Sequence, residues 1–121
     1  MPNPVTHFEI IGKDAAKLQQ FYRDIFKWKV DANNPMNYGM VDTGTPGQGI
    51  GGGIAAAMQG SSSNVTFYIE VASIDETLAA VAKAGGQTAM PKMTVPPSGP
   101  IIAQFTDPAG NRIGLVQAGS M

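Results

Sequence analysis

Hydrophobic and polar positions fall into two similar runs about 60 residues apart. In the first, Val5-Thr6-His7-Phe8-Glu9-Ile10-Ile11 alternates with period two and predicts a strand, with His7, Glu9 and Ile11 on one face and Phe8 and Ile10 on the other. Asp14 is the expected N-cap of a helix over 15–26, whose inward stripe is expected to be Leu18, Phe21, Tyr22 and Ile25. Strands are predicted at Trp28–Val30, Tyr38–Asp42 and Ile50–Ile54, with a turn at Asn33-Asn34-Pro35 and a loop at Thr45–Gly49 between them.

Gly60–Asn64 has the composition of a linker. The second run then opens with a strand over 65–71. Ser73-Ile74-Asp75-Glu76 has the form of a capping box and starts a helix that turns Leu78, Val81 and Ala82 inward and stops at Gly85-Gly86. Gln87–Met90 matches the Trp28 strand by position. Pro91–Pro100 holds four prolines and is expected to be a loop able to fold over a site. Ile101–Thr106 and Arg112–Val116 are predicted strands joined by an Asp107–Asn111 turn.

Each half therefore reads β-α-β-β-β. An internal repeat of this kind predicts one α+β domain over 1–121, built of module one (5–59), a linker (60–64) and module two (65–117). Strict alternation of strands and helices is absent, which rules out a doubly wound sheet. A helix covers one face of each module, so the two bare faces are expected to form a curved, partly enclosed cleft.

Composition narrows the function. The net charge is −1 and no Lys/Arg cluster stands out, which argues against nucleic-acid and anionic-membrane partners. With no cysteine there is no disulfide, thiolate metal site or cysteine nucleophile. No leader-like start and no membrane-length apolar run is seen, so a cytoplasmic location is expected.

The His7–Ile10 run, the helix segment Phe21-Tyr22-Arg23-Asp24-Ile25-Phe26 with Trp28, Ala84-Gly85-Gly86, and Phe105 with Asp107-Pro108-Ala109-Gly110-Asn111-Arg112-Ile113 together resemble the vicinal oxygen chelate superfamily. Its members include glyoxalase I, bleomycin-resistance proteins and extradiol dioxygenases. The resemblance implies tandem modules, a cleft, and in the enzymes one divalent metal held by side chains from the first and last strand of each module. Homodimers are common in the superfamily, and a homodimer is expected here on that ground.

Carried onto this chain, the ligand pattern retains His7 alone. The last-strand place of module one falls in Gly51-Gly52-Gly53, the first-strand place of module two on Thr66 or Phe67, and the last on Gly114. One imidazole does not hold a catalytic metal, for which three protein ligands are usual. No cofactor is expected, and a divalent metal is disfavoured.

Two functions of different class follow. One is a metal-free binding module for a small, largely apolar molecule, as in the drug-sequestering members, with Tyr38, Gly52, Phe67 and Gln104 as ligand-binding residues. The other is a glyoxalase-like lyase or isomerase, or less readily a dioxygenase, using His7 as base and Glu9 to orient it, with or without an unusual metal site. The bland reading of His7 is a hydrogen-bonded histidine with no chemical task, and this reading is the weightier. Gly51–Gly53 has no following Lys-Ser/Thr and opens no helix, so it is not a phosphate loop. A ligand-sized gap on that strand is preferred to a bulge.

Overall fold

A computed structural model describes residues 2–44, 48–58 and 61–120. Its elements run β1 (Val5–Gly12), α1 (Ala15–Phe26), β2 (Lys29–Asp31), β3 (Gly39–Asp42), β4 (Gly52–Ala56), β5 (Asn64–Val71), α2 (Ile74–Lys83), β6 (Gln87–Thr94), β7 (Ile101–Thr106) and β8 (Arg112–Gln117). The repeated β-α-β-β-β order is present in full. Parts of the expected Thr45–Gly49 loop and Gly60–Asn64 linker lie outside the described residues.

By contacts the chain divides into two compact units. One is His7–Thr66; the other combines the residues up to Thr6 with those from Phe67 onward, and Glu70 N donates to Pro4 O at 2.9 Å within it. In the first unit the strand order is β2-β3-β4-β1, with β1 and β4 parallel and the remaining pairs antiparallel. The second repeats this as β6-β7-β8-β5, with β5 and β8 parallel.

In the first unit, Asp14 caps α1 by accepting from Lys17 N at 3.1 Å. The apolar stripe differs from the expected one. Phe21 and Ile25 are 53% and 58% exposed, and the buried position is Gln19. The reason lies just past the helix, where Trp28 stacks on Tyr22 at 5.1 Å between ring centroids and lies 5.5 Å from Phe8. That contact turns Tyr22 toward the sheet and Phe21 away from it. Gln19 is satisfied there because its amide donates to Ile54 O at 2.8 Å.

In the second unit, Ser73 caps α2 by accepting from Glu76 N at 3.2 Å, and Gly85 follows the helix with φ +99°. The core is Val71, Ile74, Ala103 and Leu115, with Leu78 and Phe105 packed against it. Ala82, expected inward, is exposed, and Ile74 in the first turn is fully buried instead. The loop expected at Pro91–Pro100 is also corrected, because β6 continues through Pro91 to Thr94. Proline is tolerated since β6 ends its unit's strand order and its pairing with β7 shifts register between Thr88 and Met90 and between Met90 and Met93. Among the described residues no helix is long and apolar enough to cross a membrane.

Candidate functional site

Register decides which side chains meet. In β1 and β4, Phe8 lies beside Gly52 and Glu9 beside Gly53. Phe8 faces α1 and Trp28, so Gly52 lies on the helix-covered face; a Cβ there would come within 2.6 Å of the Phe8 ring. His7, Glu9 and Gly53 share the other face. Gly52, expected to line the ligand site, therefore supports helix packing, and Gly53 is the glycine beside His7 and Glu9. One residue of register separates the two outcomes.

Tyr38 completes the group. It precedes β3, in which Met40 pairs with Gly53, so Tyr38 shares the face of Gly53. Its ring lies over Gly53 so closely that a Cβ on that glycine would overlap the hydroxyl. The Tyr38 hydroxyl donates to Glu9 Oε2 at 3.0 Å and lies 2.8 Å from His7 Nε2. A phenol has one proton. With that proton on the Glu9 bond, the network assigns the His7 hydrogen to Nε2, donating to the Tyr38 oxygen. Burial holds the His7 pKa below its usual value, which favours the neutral ring.

The backbone around Tyr38 is fixed from two sides. Asn34 Nδ2 donates to Tyr38 O at 2.7 Å, and Tyr38 N donates to Asn34 Oδ1 at 2.9 Å. Asn37 takes φ +52°, a conformation asparagine adopts more readily than most residues. Gln19 also donates to Asn37 O at 3.4 Å, which ties the loop to α1. Neither Asn34 nor Gln19 was singled out as a site residue in the sequence. The Asn34-Pro35 pair signalled a turn, and only the fold shows what that turn holds.

The second unit carries a related arrangement. Tyr68 lies beside Gly114 in the β5–β8 register, and a Cβ on Gly114 would overlap the Tyr68 ring. Gln104 Nε2 donates to the Tyr68 hydroxyl at 3.1 Å, and Arg112 Nε donates to Gln104 Oε1 at 2.5 Å. Tyr68 and Gly114 lie on the face away from the core, since Ile69, Val71 and Leu115 pack into it. Phe67, expected as a ligand contact, has the strand parity of Ile69 and Val71 and is 38% exposed. Tyr68 is the residue that meets Gln104. By register Tyr68 corresponds to Glu9 of the first unit and Thr66 to His7, which assigns the open choice between Thr66 and Phe67 to Thr66.

These donors do not fit a chelated metal. His7 and Glu9 come from one strand, and their neighbour on β4 is a glycine covered by Tyr38. Among the described residues no three His, Cys, Asp or Glu side chains stand close enough to share an ion. In the second unit the corresponding places hold Thr66, with a hydroxyl, and Gly114, under the Tyr68 ring.

Fold and site together define an α+β protein of two β-α-β-β-β modules, each with a tyrosine seated on a glycine of its last strand. A family model of the Glyoxalase/Bleomycin resistance protein/Dioxygenase superfamily matches residues 5–115, and the chain belongs to that superfamily. Similar solved structures include methylmalonyl-CoA epimerase from Mycobacterium tuberculosis, at 15% identity over 93% of this chain and 86% of that one with a TM-score of 0.64. Another is a single-substitution variant of the Streptomyces coelicolor methylmalonyl-CoA epimerase in complex with 2-nitronate-propionyl-CoA, at 15% identity over 98% and 96% with a TM-score of 0.67. A superfamily member from Vibrio splendidus 12B01 matches at 17% identity over 96% and 99%, with a TM-score of 0.63. At these identities the likeness is one of fold. No curated protein matches the chain.

Proposed function

We propose that this protein binds a small molecule on the helix-free face of module one, with His7 and Glu9, linked by the Tyr38 hydroxyl, as its polar anchor and no resident metal. The observation that carries this reading is the Tyr38 hydroxyl set between His7 Nε2 at 2.8 Å and Glu9 Oε2 at 3.0 Å. A few fixed polar groups beside apolar surface are the usual makeup of a small-molecule site, and half-exposed Met40 supplies adaptable apolar surface on the same face. Superfamily membership supports a small-molecule role, and a related fold is seen with a coenzyme A ester analogue bound. Thermal-shift screening of small carboxylates, amides and aromatic alcohols tests it. Hits are expected to lose at least tenfold in affinity in both His7→Ala and Glu9→Gln. Hits indifferent to both variants would refute it.

One observation favours a second reading, metal-independent proton transfer in a lyase or isomerase. His7 is poised neutral, and Tyr38 links its ring to a carboxylate, so a proton gained by the imidazole from a substrate carbon would be stabilised through Tyr38 by the Glu9 charge. Exchange of substrate C–H for deuterium in D2O, lost in His7→Ala, is the expected signature.

A further inference from the structure

The superfamily's chelating members draw ligands from the last strand of each module, and in this chain both such places carry glycine. Neither glycine leaves a gap. Tyr38 covers Gly53 and Tyr68 covers Gly114, and in each case an added Cβ would overlap the tyrosine. The two tyrosines reach their glycines by different routes. Tyr38 comes from the loop before β3, whereas Tyr68 lies on β5 beside its glycine. Each hydroxyl is also tethered, to His7 and Glu9 in one module and to Gln104 in the other.

We propose that Tyr38 and Tyr68 occupy the places from which last-strand side chains would reach a metal, and that the Tyr38 hydroxyl, in place of a metal ion, is the hub that holds His7 and Glu9 together. This deepens the reading of a metal-free site and rests on it, but it makes claims of its own. A ligand cannot be restored at position 53 by one substitution, because Tyr38 occupies the space the side chain would need. Removing the tyrosine ring as well opens that space beside two donors already at hand. Tyr38 is thus a positioning residue, acting through His7 and Glu9.

The test is titration of Co²⁺, Ni²⁺ and Zn²⁺ into four proteins: wild type, Gly53→Glu, Tyr38→Ala, and the pair Tyr38→Ala with Gly53→Glu. Circular dichroism checks that each is folded. The paired variant is expected to bind at least one of these ions tenfold or more tighter than either single variant, with the gain abolished by a further His7→Ala change. A folded paired variant that binds no tighter than Gly53→Glu would overturn the proposal. So would one equivalent of metal held by the wild type at micromolar affinity or tighter and lost in His7→Ala.

A second measurement decides the matter should the paired variant not fold. In Tyr38→Phe the ring still covers Gly53 but the hydroxyl is gone. Imidazole ¹⁵N shifts are expected to report the Nε2–H tautomer of His7 in the wild type and a changed tautomer balance in Tyr38→Phe. An unchanged signature would overturn the hub. These readouts need no native ligand, so they can fail while small-molecule binding stands, or hold while it fails.

Discussion

At Gly53 one missing Cβ makes room for the phenol that links two residues of β1. Gly53→Ala is expected to force the Tyr38 ring off its position, costing about 1–3 kcal/mol as an overpacked site. Chemical denaturation measures the cost, and altered His7 ring shifts would show the bonds breaking. His7 itself sets a pH dependence. Its folded pKa lies below the unfolded value, so the unfolded chain takes up the proton first as pH falls. The stability linked to the neutral ring is complete above the unfolded pKa of about 6.5 and declines as pH drops from there toward the folded pKa. Denaturation at stepped pH should show this slope in the wild type and less of it in His7→Gln. Register at this scale was the least legible part of the sequence. Simple alternation places His7 and Glu9 on one face, but whether Gly52 or Gly53 faces them depends on a strand pairing that no local signal encodes. Tyr38 meets His7 across 31 positions of chain, a contact that exists only once β3 and β4 have folded.

Helices and their ends were the most legible elements, because capping chemistry is local. Asp14 and Ser73 each accept the expected backbone hydrogen bond. Ser73→Ala should cost about 1 kcal/mol, read as a lower denaturation midpoint without a change in slope. The faces of α1 were harder to read. Its moment could be assigned from spacing, but Trp28 folds back on Tyr22 and rotates the burial toward Gln19, a polar residue that spacing rules pass over. Gln19→Ala removes the donor to Ile54 O and the contact to Asn37 O, and is expected to destabilise by about 1–3 kcal/mol. It should also broaden amide signals in the loop carrying Tyr38, which a purely packing role would leave sharp. The prolines of Pro91–Pro100 predict a loop, yet β6 tolerates Pro91 because it stands at the end of its unit's ladder and its pairing is already irregular there.

For the whole molecule, the repeat carried the inference from sequence to superfamily. Two β-α-β-β-β modules are seen in the order expected, and the family match extends over residues 5–115. The repeat guided chemistry less well, because equivalent positions hold different residues. His7 and Glu9 in one module answer to Thr66 and Tyr68 in the other, so the acidic anchor has no basic or acidic twin at the same place. The second unit has its own core, and Leu115→Ala within it should cost about 2–5 kcal/mol on thermal or chemical unfolding.

A second surface on the first unit offers a contrast for locating the ligand. It is a largely apolar groove lined by Ile10, Ile11, Gly12, Leu18 and residues 63–65. The most direct measurement is therefore a ¹H–¹⁵N correlation spectrum of the intact protein, titrated with a library of small polar and aromatic fragments. Ligand binding at the Tyr38 hub is expected to give saturable shifts centred on His7, Glu9, Tyr38, Met40 and Gly53, absent in Tyr38→Ala. Shifts centred on Leu18 and Val65, or none across the library, would contradict it.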